Sequence, residues 1–427
     1  MKYNQNFKIN QVDEATLVVG IDIGSREHYV RAFDWRGREL AKTFSFSNTL
    51  SGFEAFNSWI QAICTREEKS KTVAGIEPTG HYWFNLGSHL EAYGMVIAMV
   101  NPYHVKQTKE LDDNSPTKND RKDPKTIAKL VIEGRFSFPY IPKEVYAELR
   151  TAVGCRDKVV KEIGRIKNSI SRWLSIYFPE YEGVYRNTEA ISGIMVLKQA
   201  AFPKEIVELG AEEINQIWRT AKLRAVGMNK AKELVKAAKQ SVGSKEGSIA
   251  AKLELRTLME DYEHKMRQYT VIMETIEELC KDIPETGKML AIKGIGLATV
   301  AGFVAEVGDI RRFESPRQIQ KLAGYALKEN SSGKHKGQTT ISKRGRSRLR
   351  GLLFKAVIPL VAKNEEFAEL HKYYTNRKEN PLKKKQSLVA ICCKLIRIFY
   401  AILTKGIVYD GEKMKADIHR PNLQIAA

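Results

Sequence analysis

The chain has little that would take it across or into a membrane. No run approaches the roughly 18 uninterrupted apolar residues that a membrane span requires, and Met1 to Glu14 contains no apolar signal core. A cytoplasmic protein with no membrane partner is expected. Cysteine is scarce: Cys64, Cys155, Cys280, Cys392 and Cys393 are scattered, odd in number and lack paired ligand spacing. That excludes a disulfide framework and a zinc cluster and leaves reduced core thiols. Apolar residues are not in short supply. At 43% of 427 residues, they support two or three folded domains and argue against long disorder.

Acidic charge is also short, but only beyond the first quarter. Residues 1–113 hold 12 Lys or Arg against 14 Asp or Glu, a net of −2, so the remainder carries +22 of the overall +20. Residues 311–350 are the extreme, with 12 basic residues against Glu314 and Glu329. A segment so one-sided is the electrostatic footprint of a nucleic-acid partner, because each phosphate neutralised releases counterions.

Thr16 to Ser25 is a β-branched, apolar run interrupted by Asp22, and it reads as a strand buried on both faces. A carboxylate there is metal-bound, partnered or functional, unless it only caps a turn at the strand end. Strands follow at His28–Phe33 and Glu39–Ser47, joined by the turn Asp34 to Arg38. Ser51 and Glu54 form a capping box for a helix whose Phe53, Phe56, Trp59, Ile60 and Ile63 share one face. A strand over Thr72–Glu77, a helix over Tyr82–Ala92 and a strand over Met95–Val100 complete the series. Three strands, helix, strand, helix, strand is the ribonuclease-H-like order, a mixed sheet with helices packed on it.

Lys106–Asn119 reads as a polar, mobile segment before a helix over Asp123–Glu133, and a basic helical stretch covers Glu144–Ile176. Helical pieces occupy 189–245, and Ser248–Ile283 is a long helix. Its Leu258, Tyr262, Met266, Tyr269, Met273, Ile276 and Cys280 follow coiled-coil spacing, which suits either oligomerisation or a helical hairpin within the chain. Ile292-Lys293-Gly294-Ile295-Gly296, ahead of the apolar helix Ala298–Val307, has the pattern of a helix-hairpin-helix turn. Its glycines let backbone N–H groups approach a phosphate without reading bases. Further helices are expected at Pro316–Ala323, Ser347–Lys363 and Leu382–Lys405. The expected organisation is α/β plus all-α: an N-terminal catalytic domain (1–143), a helical coiled-coil region (144–284) and a C-terminal helical domain (285–427).

Four carboxylates carry the expected chemistry: Asp22, Glu77, Asp120 and Asp123. The last two are three residues apart, on one helix face. Carboxylates held together repel and raise one another's pKa unless cations neutralise them. Two oxygen-ligated Mg²⁺ ions would do so and would support phosphoryl transfer.

These residues carry a family resemblance. Gly20-Ile-Asp22-Ile-Gly24, Ile76-Glu77-Pro-Thr-Gly80-His-Tyr82 and Lys118-Asn-Asp120-Arg-Lys-Asp123 resemble the acidic motifs of the DEDD transposases of the IS-one-ten and IS-eleven-eleven insertion sequences. Ile292 to Gly296, Phe313-Glu-Ser-Pro-Arg317, Leu322-Ala-Gly-Tyr325, Asn330-Ser-Ser-Gly333 and Ile341-Ser-Lys-Arg-Gly345 resemble that family's C-terminal domain. The resemblance implies a RuvC-like N-terminal domain and a serine nucleophile, matched by Ser332, with Ser331 a near-equal rival and Ser342 a weaker one. It also implies donor and target DNA, a structured guide RNA, and a homo-oligomer, dimer or tetramer, in which one subunit's acids work with another's serine. Lys293, Gly294, Gly296, Lys334, Lys336, Lys343, Arg344, Arg346, Arg348 and Arg350 are the candidate nucleic-acid contacts. The competing readings are an ATPase or sugar kinase of the actin and heat-shock type, whose second phosphate loop is not found here, and a non-catalytic nucleic-acid binder.

Overall fold

A computed structural model describes residues 5–78, 80–112, 123–328, 331–332, 335–336 and 339–416. The chain forms two units, Met1–Ile141 and Pro142–Ala427.

The first unit contains α1 (Gln5–Ile9), β1 (Thr16–Ile23), β2 (Glu27–Phe33), β3 (Phe44–Ser47), α2 (Leu50–Arg66), β4 (Lys71–Ile76), α3 (Trp83–Ala92), β5 (Val96–Val100), α4 (Pro102–Asp112), α5 (Asp123–Ile132) and β6 (Phe136–Ser137). Its six strands run in the order β3-β2-β1-β4-β5-β6. β1, β4 and β5 are parallel, while β2, β3 and β6 pair antiparallel with their neighbours. The mixed sheet expected from the element order is therefore present, extended by the short β6.

Strand alternation divides β1 between two cores. Leu17, Val19, Ile21 and Ile23 join Phe53, Phe56, Ile60 and Ile63 of α2 and Leu86 and Leu90 of α3. Val18 faces the other way, among Ile127, Leu130 and Val131 of α5. On that second face Gly20 and Gly75 are register partners in β1 and β4. A Cβ on Gly20 would lie 1.8 Å from the Pro124 carbonyl oxygen, and one on Gly75 would lie 2.7 Å from Val131 and 2.9 Å from Ile127. The missing side chains let α5 settle directly onto the strands.

Three local readings need correction. Pairing of β3 starts at Phe44 rather than Glu39, and Glu39 makes only an isolated bridge to Phe33. Its side chain instead turns to Arg31, in a two-pronged ion pair with bonds of 2.7 and 2.5 Å. Helix α2 is capped by Thr49, whose hydroxyl accepts from Gly52 N at 3.2 Å, so the expected Ser51–Glu54 box is not the cap. Residues 106–112 belong to α4, and 113–119 lie outside the described residues.

The second unit is helical: α6 (Glu144–Tyr177), α7 (Tyr181–Val184), α8 (Ile191–Gln199), α9 (Pro203–Thr220), α10 (Met228–Lys239), α11 (Ser248–Lys281), α12 (Glu285–Leu290), α13 (Leu297–Val307) and α14 (Pro316–Ala323). Four two-residue strands follow, β7 (Leu327–Lys328), β8 (Ser331–Ser332), β9 (His335–Lys336) and β10 (Thr340–Ile341), then α15 (Ser347–Lys363), α16 (Glu365–Asn376), α17 (Lys384–Lys405) and α18 (Gly411–Ala416). Helix α11 lies along α6 of the same chain. The pair is tied by a Trp173 indole N–H to the Ala251 carbonyl at 2.8 Å and by Lys265 to Glu162 at 2.7 Å. Of the anticipated seam only Ile276 and Cys280 are fully buried, and the N-terminal half instead buries Ala251, Leu255 and Met259. The pieces α7 to α10 enclose a core around Trp173, Phe178, Tyr181 and Trp218. Helix α17 is long and apolar enough to cross a membrane by composition alone. Here its Ile391, Cys392, Leu395, Ile396, Phe399 and Ile402 form the centre of the C-terminal core.

Two predictions follow from this packing. Gly20→Ala should destabilise the first unit by about 1–3 kcal/mol or more, because backbone must move to admit the methyl group. Gly154→Ala, in helix α6 with open space around it, should be stabilising by about 0.5–1 kcal/mol. Urea unfolding of both variants checks the contrast. His28 is fully buried, with ring centroids 5.1 Å from Phe46 and 6.3 Å from Phe53. Burial lowers its pKa, partly opposed by Asn48. The unfolded chain therefore takes the proton first, and stability should fall as pH drops below about 6.5. His28→Phe should flatten that dependence between pH 7 and 5 in thermal melts.

Candidate active site

The carboxyl ends of β1 and β4 are adjacent in the sheet, and side-chain parity decides which face their acids occupy. Asp22 follows Val18 and Gly20 at two-residue steps on the α5 face, and Glu77 follows Val73 and Gly75 in the same way. Asp123 opens α5 itself. Helix α5 approaches the sheet through Pro124 over Gly20, which brings its first turn to the strand ends. The positive end of the helix dipole favours a carboxylate there. Asp22, Glu77 and Asp123 thus share one face of the sheet, while Asp120 lies outside the described residues.

Charge coupling follows from this arrangement. Burial pushes the Glu77 carboxyl upward and neighbouring Asp123 adds to the rise, while the Lys109 ammonium opposes it. Lys109 Nζ is ion-paired with Asp123 Oδ1. It was hidden in the sequence because 106–119 reads as a polar loop. The signal of a helix was nevertheless present in Asn101-Pro102, a cap residue followed by proline at the first helical position. Asn101 Oδ1 accepts from Tyr103 N at 2.9 Å.

The donor set is composed of hard carboxylate oxygens, which suits Mg²⁺ rather than a softer metal. Burial is the main cause of the rise at Glu77, and Lys109 supplies the positive charge beside Asp123. Among the described residues no three acidic, His or Cys side chains are gathered closely enough to hold an ion. Following Glu77 in the chain, Trp83 is a core residue at 9% exposure, whereas His81 and Tyr82 are exposed, their rings tilted against each other with centroids 4.4 Å apart.

In the second unit, the turn between α12 and α13 has two different glycines. Gly294 has φ +97°, and a Cβ there would lie 3.0 Å from the Leu360 backbone. Gly296 is exposed, adopts ordinary extended backbone before α13, and has open space where a Cβ would go. Its own fold does not require glycine at that position. Lys293 between them is exposed.

The basic segment that follows is an arm. β7 pairs with β10, Leu327 opposite Ile341, and β8 pairs with β9, Ser331 opposite Lys336 and Ser332 opposite His335. Ser332 is the last paired residue before 333–334, so Lys334 lies outside the described residues. Ser342 lies at the base of the arm, its N–H donating to the Ala326 carbonyl at 2.7 Å.

Three candidate phosphate contacts spend their guanidinium groups internally. Arg346 Nη1 donates to the Glu306 carbonyl at 2.5 Å. Arg348 bonds Asp157 at 2.9 Å and the Val153 carbonyl at 3.0 Å, and Arg350 bonds the carbonyls of Ala323 at 3.0 Å and Lys343 at 3.1 Å. Lys343 and Arg344 are exposed, and Lys343 adopts φ +56°, a region uncommon for a residue with a side chain.

Comparison with known proteins finds two family matches, in the N-terminal and C-terminal parts of the chain. A family model described as a transposase, of the DEDD type, matches residues 19–179, and a model of the IS116/IS110/IS902 transposase family matches 288–372. The chain is 33% identical to a putative transposase, y4rJ, of Sinorhizobium fredii over 135 residues, 31% of this chain and 34% of that protein. It is 23% identical to the insertion element IS116 protein of Streptomyces clavuligerus, over 90% of this chain and 94% of the relative. It is 22% identical to the transposase for insertion sequence element IS1111A of Coxiella burnetii, over 90% and 96% of the two chains. With both family models matched in order and relatives aligned along nearly their whole length, the chain belongs to the transposase family of the IS116/IS110/IS902 insertion elements.

Proposed function

We propose that this transposase cuts and rejoins DNA by Mg²⁺-dependent phosphoryl transfer with Ser332 as nucleophile. The observation that supports the reading is that strand parity puts Asp22 and Glu77 on the sheet face covered by α5, whose first residue, Asp123, is near enough to raise the pKa of Glu77. Asp120 is assigned with them from its motif. Bound Mg²⁺ would neutralise the acids and stabilise charge on the attacking and leaving oxygens. Asp22, Glu77, Asp120 and Asp123 would hold it.

The serine chemistry is assigned to the arm in the second unit. Ser332 Oγ attacks a DNA phosphorus, the bond to the leaving deoxyribose oxygen breaks, and a phosphoserine ester forms. The serine proton passes to a base and returns to the leaving oxygen. The ladder register supports His335 in that role, directly opposite Ser332. In the rejoining step a DNA hydroxyl attacks the phosphoserine and Ser332 is released.

Phosphate contact is assigned to the turn Lys293, Gly294 and Gly296, to the exposed Lys343 and Arg344, and to Lys334 and Lys336 of the arm. The internal bonds favour structural roles: Arg346 to α13, Arg348 to α6 and Arg350 to the arm's base. The excess of +22 beyond residue 113 supports binding of DNA together with a guide RNA from the element. A dimer or tetramer would combine the acids of one subunit with the serine of another.

Ser332→Ala should abolish plasmid strand exchange while leaving DNA and RNA binding within about twofold, and full exchange in that variant would move the nucleophile to Ser331. Denaturing gels of a suicide substrate should show a covalent protein–DNA band in the wild type only. His335→Ala should slow formation of that band by on the order of 10²–10⁴-fold and change its pH profile. Asp22→Asn should lose metal-dependent exchange. DNA affinity should fall steeply between 50 and 200 mM salt, by about 10³-fold for six phosphate contacts, and a flat titration would contradict the basic arm as the binding surface.

A further inference from the structure

We propose that Lys109 is a built-in counter-ion of the acidic site, an ammonium that a divalent cation must displace in order to bind. The proposal rests on the reading of Glu77 and Asp123 as ligands. Lys109 is carried by α4, which leaves the end of β5 and packs on α5. Its ammonium is ion-paired with Asp123 Oδ1, and its charge reaches Glu77 as well. The one ammonium therefore bears on two of the acids that share the α5 face.

The chemistry of displacement follows from the side chain. An ammonium and a metal ion both take carboxylate oxygens as partners, and they cannot occupy the same ones at the same time. Lysine is a point charge on a flexible four-carbon stem, so it can withdraw without loss of a fixed fork geometry, whereas arginine would hold a carboxylate with two prongs. The pair is only partly exposed, at 36% for Lys109 and 21% for Asp123, which leaves the stem a route to solvent. The ammonium thus offsets part of the negative charge on Asp123 and Glu77, and a metal ion that takes those oxygens must expel it. By linkage, whatever the ammonium contributes to the metal-free state is subtracted from metal affinity.

The test uses the full chain stripped by chelator and Mn²⁺ as the probe, its free concentration read by electron paramagnetic resonance. Lys109→Met should bind Mn²⁺ on the order of tenfold more tightly than wild type. Its thermal midpoint should be lower in chelator and should rise further on Mn²⁺ addition. Lys109→Arg should bind Mn²⁺ no more tightly than wild type. If Lys109→Met does not stay folded without metal, Lys109→Gln is measured in the same way, with circular dichroism as the check on fold. Mn²⁺ affinity unchanged or weakened in a folded Lys109→Met or Lys109→Gln variant overturns the counter-ion role. Asp22→Asn and Glu77→Gln separate the two ideas. If both abolish Mn²⁺ binding while Lys109→Met leaves it unaltered, the metal site stands and the counter-ion falls. If neither changes Mn²⁺ binding, the ion is not in the acidic site and both ideas fall.

Discussion

The contact on which the first unit depends is the seating of α5 on two strands that have no side chains at the point of touch. Gly20 and Gly75 are register partners, and the Pro124 carbonyl, Ile127 and Val131 occupy the space their Cβ atoms would need. Packing of this closeness tolerates no added methyl group without movement of backbone. It also fixes the position of the helix's first residue. Asp123 can lie beside Glu77 because α5 enters at this depth, and Asp22 and Glu77 share its face because each follows its glycine by two residues. One steric constraint therefore sets both the core and the relation of the acids.

Glycine has a second use in the helical unit, and the structure separates the two. Gly294, Gly324 and Gly345 all have positive φ, and a Cβ at each would meet backbone or a side chain of the same unit at 3.0 Å or less. They serve the fold. Gly296 has neither constraint, so the fold itself does not account for the missing side chain there. The same distinction applies to the arginines. Arg348 bridges α15 to α6 and Arg350 ties α15 to the base of the arm. A count of positive charge in the sequence cannot separate residues that hold the scaffold from those left to meet phosphate.

What the sequence disclosed was decided by the range of the forces involved. The buried strand at Thr16–Ile23, the face of α2 and the long helices α6 and α11 were legible because hydrophobic periodicity is a local signal, repeated many times. The early part of β3 was not, since Glu39 is drawn out of the ladder by Arg31, a partner eight residues away. The Ser51–Glu54 pair matched a cap motif, yet Thr49 sits two residues earlier with the backbone angles a cap requires. The candidates Asp22, Glu77 and Asp123 could be chosen from their motifs, and strand parity puts the first two on the α5 face. Lys109 could not, because nothing local distinguishes it from Lys106. Only the packing of α4 against α5 gives it a carboxylate.

The division of charge along the chain now has a physical reason. A cluster of carboxylates that must accept a cation is weakened by a strongly positive surround, since fixed cations compete for the same oxygens. A unit near neutrality, with 18 basic residues against 17 acidic ones in residues 1–141, limits that competition. Lys109, paired with Asp123, is the position proposed for it. A phosphate-binding surface needs the opposite, an excess of positive charge that releases counterions from nucleic acid. Carried on one surface, the two requirements would work against each other within a Debye length of about 8 Å at physiological salt. The acids belong to one folded unit and the basic arm to the other, so the fold of each can be tuned to its own charge requirement.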